Sequence, residues 1–179
     1  MTTTEEAQQA RWRELIREVP DFPQPGVLFR DITPLLHDPD GLRSANDALA
    51  AASRGFEPTL VAGVEARGFI FGVPVAERLG LPFVPMRKPG RLPTAYASVA
   101  YELEYGQTSL ELHRDPSIAG HRVLVVDDLL ATGGTAEAAA RLVAELGGEV
   151  AGFAFFIELT ELGGRVRLGR RPVAALVSF

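Results

Sequence analysis

The fold is decided by the segment Val123-Leu-Val-Val-Asp127-Asp128-Leu-Leu-Ala131-Thr132-Gly133-Gly134-Thr135. Its first four residues are all apolar, which is typical of a strand that is covered on both faces. Residues 136–146 then have the pattern of a helix that closes at Gly147 and Gly148, and residues 150–157 form a second apolar run. A strand, a helix and a strand joined by short links predict a right-handed crossover and therefore a parallel sheet.

The stretch before this segment shows the same alternation of elements. Short apolar runs at residues 59–62 and 83–86 predict two strands, and residues 68–79 between them predict a helix. Two such strand–helix–strand units in one sheet are typical of α/β proteins. We therefore expect a doubly wound α/β fold, with a mainly parallel sheet flanked by helices.

A hairpin and an N-terminal extension complete the predicted architecture. Apolar and polar residues alternate over residues 99–103, and a glycine turn leads to a second short strand over 109–112, as in an exposed antiparallel hairpin. No repeat, low-complexity tract or long linker divides the chain. We therefore expect one domain over residues 1–179, with an N-terminal extension over about 1–38 and a flexible loop and hairpin over about 88–112.

The N-terminal extension has a pattern of its own. Apolar residues at spacings of three and four predict an amphipathic helix over residues 4–18, and the proline-rich stretch 20–26 predicts an irregular loop. A second helix is expected over residues 40–52, with Asp40 as its N-terminal cap.

Composition excludes several kinds of protein. The 179 residues carry a net charge of −5 and include no cysteine, so disulfide frameworks, zinc–thiolate sites, iron–sulfur clusters and cysteine nucleophiles are excluded. The acidic balance argues against a nucleic-acid partner. No apolar run approaches the roughly 18 residues of a membrane-spanning helix, and the polar, acidic start MTTTEEAQQA is unlike a signal peptide. We therefore expect a cytoplasmic protein with neither a nucleic-acid nor a membrane partner.

The loop that follows the strand at residues 123–126 has the chemistry of a phosphate site. Ligands bind at the carboxyl ends of parallel strands, and the helix that follows presents free backbone N–H groups. Gly133 and Gly134 allow a tight turn, while the hydroxyls of Thr132 and Thr135 are further donors. The loop contains neither a lysine nor a G-x-G-x-x-G pattern, so it is not one of the common nucleotide-binding loops.

An acidic pair, Asp127 and Asp128, lies between the strand and this loop. Two carboxylates repel a second anion, but they accept hydrogen bonds from neutral hydroxyls. The combination therefore predicts a sugar phosphate, with its phosphate on the loop and its ribose hydroxyls on the carboxylates.

The whole segment over residues 123–135 resembles the signature with which type I phosphoribosyltransferases bind phosphoribosyl pyrophosphate (PRPP). That signature consists of an apolar strand, an acidic pair and a short Thr/Gly loop. The resemblance implies that Asp127 and Asp128 bind the ribose. It also implies that the 5-phosphate is bound by Ala131, Thr132, Gly133, Gly134 and Thr135.

Three further segments, residues 22–34, 65–72 and 103–106, resemble the branch of this family that acts on adenine. The resemblance implies a reaction of purine salvage, in which adenine and PRPP give AMP and pyrophosphate. It also implies a cytoplasmic homodimer that uses magnesium. The ion is expected to be carried by pyrophosphate, ribose oxygens and water rather than by side chains of the protein.

Cationic residues are expected to bind pyrophosphate. Ala66 and Arg67 follow the strand at residues 59–62 and open a helix, so they lie at a second strand end on the same side of the sheet. The resemblance implies that they bind pyrophosphate and that Arg67 is catalytic. A second cationic group consists of Arg87, Lys88 and Arg91. It lies in a loop that would close over the leaving pyrophosphate.

The resemblance also assigns residues to the purine. Glu104 matches the catalytic carboxylate of the family, and it would accept a hydrogen bond or a proton from the purine so that N9 can attack. Adenine would be bound by main-chain groups of Leu28 and Arg30, with Phe29 between them.

The sequence leaves two alternatives open. A related enzyme could act on hypoxanthine, guanine or xanthine, although the first two favour a lysine near the base and the only lysine, Lys88, lies in the cationic loop. A regulator that senses PRPP without catalysis would show an added nucleic-acid-binding domain or a basic face, and the sequence has neither feature.

Overall fold

The structure is a computed structural model that describes residues 3–103 and 106–179. Contacts within the chain divide it into two compact units, residues 1–48 and 49–179. The elements of the first unit, the last of which continues into the second, are α1 (Thr3–Glu14), β1 (Arg17–Pro20), β2 (Leu28–Asp31), α2 (Thr33–His37) and α3 (Pro39–Ser53).

The second unit is built on a five-stranded parallel sheet with the order β4-β3-β7-β8-β9. A separate antiparallel hairpin pairs β5 with β6, as the sequence predicts. The elements of this unit are β3 (Leu60–Val64), α4 (Gly68–Leu79), β4 (Phe83–Met86), β5 (Tyr96–Leu103), β6 (Gly106–His113), β7 (Arg122–Leu130), α5 (Gly134–Glu145), β8 (Glu149–Glu158), α6 (Gly164–Leu168) and β9 (Val173–Ser178).

The two faces of the sheet are covered by different elements. On one face α5 and the hairpin enclose alternate strand residues such as Val125 and Phe153 in a single apolar cluster. On the other face α4 packs through Phe71, whose ring stacks on Phe156 of β8 at a centroid distance of 5.5 Å. Coverage of both faces explains why the central strands contain long apolar runs, and it confirms the doubly wound fold.

In the first unit, the predicted helix over residues 4–18 is wrong at its carboxyl end. The helix stops at Glu14, and β1 pairs in antiparallel register with β2, so that Arg17 lies opposite Asp31. Hydrogen bonds from Thr33 and Arg17 lower the pKa of the Asp31 carboxyl to about 2. The partner strand is 8 residues further along the chain, so a helical pattern read over residues 4–18 alone does not reveal it.

The cap of α3 also differs from the prediction. The helix begins at Pro39, and the Asp38 carboxylate accepts a hydrogen bond from the Gly41 N–H at 2.6 Å. Asp38 therefore caps this helix, whereas Asp40 forms an ion pair with Arg43 on the surface.

Strand β7 is longer than its apolar run predicts. It extends to Leu130 because β8 continues beside it, with Asp127 opposite Phe155 and Leu130 opposite Glu158. The acidic pair therefore belongs to the strand itself, and α5 begins at Gly134, two residues earlier than predicted. The sequence analysis also missed the edge strand β9 and the short helix α6.

Within the described part of the chain, no helix is both long enough and apolar enough to cross a membrane.

Candidate active site

The site lies where the winding of the sheet changes direction. Strand β3 is hydrogen-bonded to β4 on one side and to β7 on the other, with Gly63 in register with Val126. The chain therefore leaves the carboxyl ends of β3 and β7 towards opposite faces of the sheet. The divergence opens a crevice at the carboxyl ends, which is where doubly wound proteins bind ligands.

The first cleft in this crevice has a volume of about 370 Å³. It lies between the end of β7 and the beginning of α5, and all the residues predicted to bind ribose and 5-phosphate contribute to its wall. The lining residues are Val64, Arg67, Val125, Phe155 and residues 127–136.

The loop that forms the floor of this cleft depends on a glycine. Gly133 has a φ of +81°, and a Cβ atom there would lie 2.9 Å from the carbonyl oxygen of Gly164 in α6. Only glycine satisfies both conditions, because the left-handed conformation and the close backbone approach exclude a side chain. The turn directs the chain into α5, whose first N–H groups have no acceptor within the helix and are available to an anion.

The acidic pair is held at the mouth of this cleft by a cation and by the backbone. Asp128 is buried, with 5% of its surface exposed, and its carboxylate accepts a hydrogen bond from Arg67 Nε. Asp127 accepts a hydrogen bond from the N–H of Asp128 at 2.9 Å. Burial, and then the neighbouring charge of Asp128, raise the pKa of the Asp127 carboxyl well above its ordinary value.

This raised pKa predicts the effect of Asp127→Asn on stability. An acid whose pKa is higher in the folded state destabilises the fold once the pH exceeds its unfolded pKa, near 4. The asparagine oxygen can still accept the Asp128 N–H, so at pH 7 the variant should have a higher free energy of unfolding than wild type. Urea unfolding at several pH values checks this, because the difference should vanish as the pH falls towards 4. A variant less stable than wild type at pH 7 would contradict the expectation.

A second cleft, of about 300 Å³, adjoins the first and shares the acidic pair with it. One side is the loop after β3 and the other is the hairpin. The lining residues are Val64, Glu65, Ala66, Arg67, Lys88, Tyr101, Thr108, Asp127, Asp128 and Thr135.

Glu65 connects the loop after β3, which carries Arg67, with the loop after β4, which carries Lys88. Its carboxylate accepts hydrogen bonds from Arg87 Nε at 3.0 Å and from the Lys88 N–H at 2.8 Å. Burial raises the pKa of the Glu65 carboxyl, but these bonds and the charges of Arg87 and Arg91 outweigh burial, so the pKa is lower than usual. Glu65 therefore stays ionised and fixes the loop that carries Lys88.

The predicted cations occupy different places. Arg67 lines both clefts, and Lys88 lines the second. Arg87 contributes to neither wall: it pairs with Glu65, and its guanidinium lies 6.0 Å from the centre of the Phe69 ring. Arg91 is exposed on the loop after β4.

The residues predicted to contact the purine are not among those that line the clefts. Glu104 lies outside the described residues. Leu28, Phe29 and Arg30 form strand β2 in the unit of residues 1–48. Within that unit the Phe29 ring packs edge-to-face on Phe22 at 5.1 Å.

Sequence reasoning missed three residues of the site. Glu65 directly follows a strand, and ligands bind at the carboxyl ends of strands. This position was the one signal in the sequence that could have indicated that Glu65 belongs to the site. Tyr101 and Thr108 come from the hairpin. The alternation of apolar and polar residues predicts the two strands of the hairpin, but it does not predict that one face of the hairpin lines a cleft together with the ends of β3 and β7.

The chain is similar to known proteins over almost its whole length. Residues 32–167 match the phosphoribosyl transferase domain family. The chain is 53% identical over 169 residues to an adenine phosphoribosyltransferase of Microcystis aeruginosa, covering 93% of this chain and 98% of the relative. It is 57% identical over 166 residues to the enzyme of that name from Francisella tularensis subsp. novicida, covering 92% of this chain and 95% of the relative.

Solved structures show the same similarity in three dimensions. The crystal structure of adenine phosphoribosyltransferase from Thermoanaerobacter pseudethanolicus superposes with a TM-score of 0.92 at 50% identity, covering 96% of this chain and 99% of that one. The Saccharomyces cerevisiae enzyme, complexed with adenine and an imino-altritol bisphosphate, has a TM-score of 0.90 at 35% identity and covers 96% and 99% of the two chains.

The fold, the acidic pair and the Thr/Gly loop define a phosphoribosyltransferase, and the chain belongs to that family. Within the family it belongs to the adenine phosphoribosyltransferases. These comparisons therefore favour adenine over the other purines and an enzyme over a non-catalytic regulator.

Proposed function

We propose that the two clefts together bind PRPP in a single orientation. The 5-phosphate enters the loop at residues 131–135, the ribose hydroxyls donate to Asp127 and Asp128, and pyrophosphate is received by residues 66–67 and Lys88. The reaction of this enzyme is the transfer of the 5-phosphoribosyl group of PRPP to N9 of adenine, with AMP and pyrophosphate as products.

The single observation that carries this orientation is the acidic wall that both clefts share. The loop with free N–H groups and hydroxyls lines the first cleft, Lys88 lines the second, and Arg67 lines both. PRPP has the same order of groups, with a phosphate, a ribose diol and a pyrophosphate. This orientation matches acceptors to the hydroxyls and donors to both phosphate groups.

The same residues account for the cleavage of the bond between C1 and pyrophosphate. As this bond lengthens, negative charge develops on the leaving group and positive charge on the sugar. Arg67 and Lys88 stabilise the first charge, and the two carboxylates stabilise the second. Since Arg67 is paired with Asp128, it exchanges this partner for pyrophosphate when substrate binds, which leaves the carboxylate for the ribose.

The roles at the purine rest on the resemblance of residues 22–34 and 103–106 to the adenine branch of the family. N9 of adenine forms the new bond to C1, and its proton passes to Glu104. Main-chain groups of Leu28 and Arg30 hold the amine and ring nitrogens of the base, and the Phe29 ring covers it. Arg87 and Arg91 assist pyrophosphate binding through the loop that Glu65 holds.

Magnesium is proposed as an ion carried by the substrate. In residues 3–103 and 106–179, no three side chains of His, Asp or Glu are grouped so that they could hold a metal. The donor set fits an ion that keeps its water and takes its other oxygens from pyrophosphate and ribose, beside Asp127 and Asp128. Bound there, Mg²⁺ would neutralise charge on the leaving group, while Arg67 and Lys88 orient it.

A homodimer and a cytoplasmic location are also proposed, and both are supported by the resemblance alone. In such a dimer, the cationic loop at residues 87–91 would serve either its own site or that of the neighbouring subunit.

The assignment of the second cleft to pyrophosphate is tested by Lys88→Met. The variant keeps the length of the side chain but removes its charge, so KM for PRPP should rise about 10-fold, as expected for one lost charge-assisted contact. Initial rates of AMP formation, with PRPP varied at saturating adenine and magnesium, give this value.

Arg54→Met is the matched control for this experiment. Arg54 is an exposed cation that precedes the amino end of β3, at the opposite edge of the sheet from the clefts. The Arg54→Met substitution should leave KM for PRPP unchanged. An unchanged KM in Lys88→Met as well would overturn the assignment.

A further inference from the structure

Tyr101 forms part of the wall of the second cleft, which Arg67 and Lys88 also line. It lies in β5, directly across from Thr108 of β6, which lines the same cleft. Only 9% of Tyr101 is exposed, and the residue belongs to the apolar cluster that α5 and the hairpin form over the sheet. The aromatic ring is therefore a core group.

The hydroxyl of Tyr101 requires a separate explanation. Within the part of the chain that the structure describes, no hydrogen bond joins it to another residue, and it is not among the fully buried polar atoms without a partner. A hydroxyl on a buried ring that is neither paired nor sealed from solvent opens onto the cleft that the residue lines. Buried tyrosines usually satisfy this group, so a free hydroxyl at a ligand cleft points to a ligand.

The wall that carries Tyr101 is fixed to both neighbouring elements. Arg141 of α5 donates to the Ala100 carbonyl oxygen at 2.7 Å, directly beside Tyr101. Arg87 and Glu111 exchange two backbone hydrogen bonds of 2.8 Å, and the Glu111 carboxylate accepts the Gly90 N–H at 3.1 Å. The hairpin that carries Tyr101 and the loop that carries Lys88 are therefore connected by hydrogen bonds at the second cleft.

We propose that the Tyr101 hydroxyl donates a hydrogen bond to a pyrophosphate oxygen of PRPP, with the Thr108 hydroxyl as a weaker second donor. The assignment rests on the proposed function of this cleft. Pyrophosphate presents more oxygens than Arg67 and Lys88 can satisfy, and a neutral phenol adds a donor without adding charge. The bond persists in the product complex, so it also contributes to the affinity for free pyrophosphate.

Tyr101→Phe tests this inference with little change in packing, because it removes only the hydroxyl. A hydrogen bond to a charged group in an open cleft predicts that KM for PRPP rises about 10-fold. The dissociation constant of magnesium pyrophosphate, measured by calorimetry without adenine, should rise by a similar factor. KM for adenine and the thermal unfolding midpoint should stay at the wild-type values, since the ring remains in the core.

Two control variants accompany this test. Tyr96→Phe removes the same group from the same strand, but Tyr96 is 42% exposed and lines neither cleft, so it should behave as wild type. Thr108→Val keeps the shape of its side chain and should give a smaller increase in KM for PRPP than Tyr101→Phe.

The outcomes separate this inference from the proposed function. If Tyr101→Phe binds PRPP and pyrophosphate as wild type does while Lys88→Met binds them weakly, Tyr101 is only a packing residue and the inference is wrong. If neither variant weakens binding, the cleft is not the pyrophosphate site and both proposals fail. Weaker pyrophosphate binding in both variants, with Tyr96→Phe unchanged, supports both.

Discussion

Replacing Asp128 with asparagine should lower kcat/KM for PRPP by about 100-fold or more while the protein remains folded. Asp128 is a buried carboxylate on the wall shared by the two clefts, where the ribose is proposed to lie. Asparagine can still accept one hydrogen bond, but it lacks the negative charge that stabilises the developing positive charge of the sugar. It also removes the ion pair that orients Arg67 before substrate binds. Initial rates with varied PRPP measure the loss.

Glu158→Gln is the matched control for Asp128→Asn. Glu158 is equally buried, lies at the carboxyl end of the neighbouring strand β8 and pairs with Arg165 at 2.7 Å, but it lines neither cleft. Its neutralisation removes the ion pair with Arg165, which keeps its hydrogen bond to the Val173 carbonyl oxygen, so this variant should lose some stability and keep its activity. If Asp128→Asn retained a kcat/KM near that of Glu158→Gln, the acidic pair would not bind the ribose.

The second large effect is expected from Gly68→Ala at the beginning of α4. A Cβ atom at this position would lie 2.7 Å from the carbonyl oxygen of Val126 and 2.9 Å from Asp127 Oδ1. The Val126 carbonyl oxygen cannot yield without moving β7, because it belongs to the backbone of this central strand. The start of α4 must therefore move away from the acidic pair and carry Arg67 with it. A displacement of about 1 Å in a catalytic site can cost about 100-fold in rate, and we expect a loss of this size in kcat/KM.

Gly80→Ala provides the comparison for a glycine at the other end of the same helix. Gly80 has a φ of +68°, and a Cβ atom there would meet no atom within 4 Å. The alanine should cost about 1 kcal/mol of stability through its left-handed conformation and leave the kinetics unchanged. Kinetics and thermal unfolding of both variants check the contrast. Wild-type kinetics in Gly68→Ala would show that the two strand ends tolerate a wider separation.

The comparison of Gly68 with Gly133 shows what local sequence can and cannot reveal. Gly133 lies in a Thr/Gly loop after an acidic pair, and that pattern alone predicts a phosphate site. Gly68 looks like an ordinary first residue of a helix. Its importance comes from Val126 and Asp127, which are 58 and 59 positions later in the chain and become neighbours only because β7 pairs with β3.

Pairing with a distant strand also explains why the predicted helix over residues 4–18 is wrong at its carboxyl end. The helical spacing that starts at Trp12 continues past Glu14 to Val19, yet residues 17–20 form a strand because residues 28–31 are available as a partner. A local pattern indicates which face of a segment is apolar. It does not indicate which distant segment will supply hydrogen bonds.

The family of the protein, the parallel sheet and the chemistry of the strand-end loop can be predicted from the amino-acid sequence. These depend on contiguous residues: an apolar run, two carboxylates and a turn rich in glycine and threonine lie within thirteen positions. The assembly of the second cleft, in contrast, depends on the tertiary structure. Glu65, Lys88 and Tyr101 come from three separate strands and loops, and they meet because β3 pairs with β4 and the hairpin pairs with Arg87 at the end of β4. The spacing of these three residues in the sequence does not indicate that they lie close together, because their proximity depends on the order in which the strands pair.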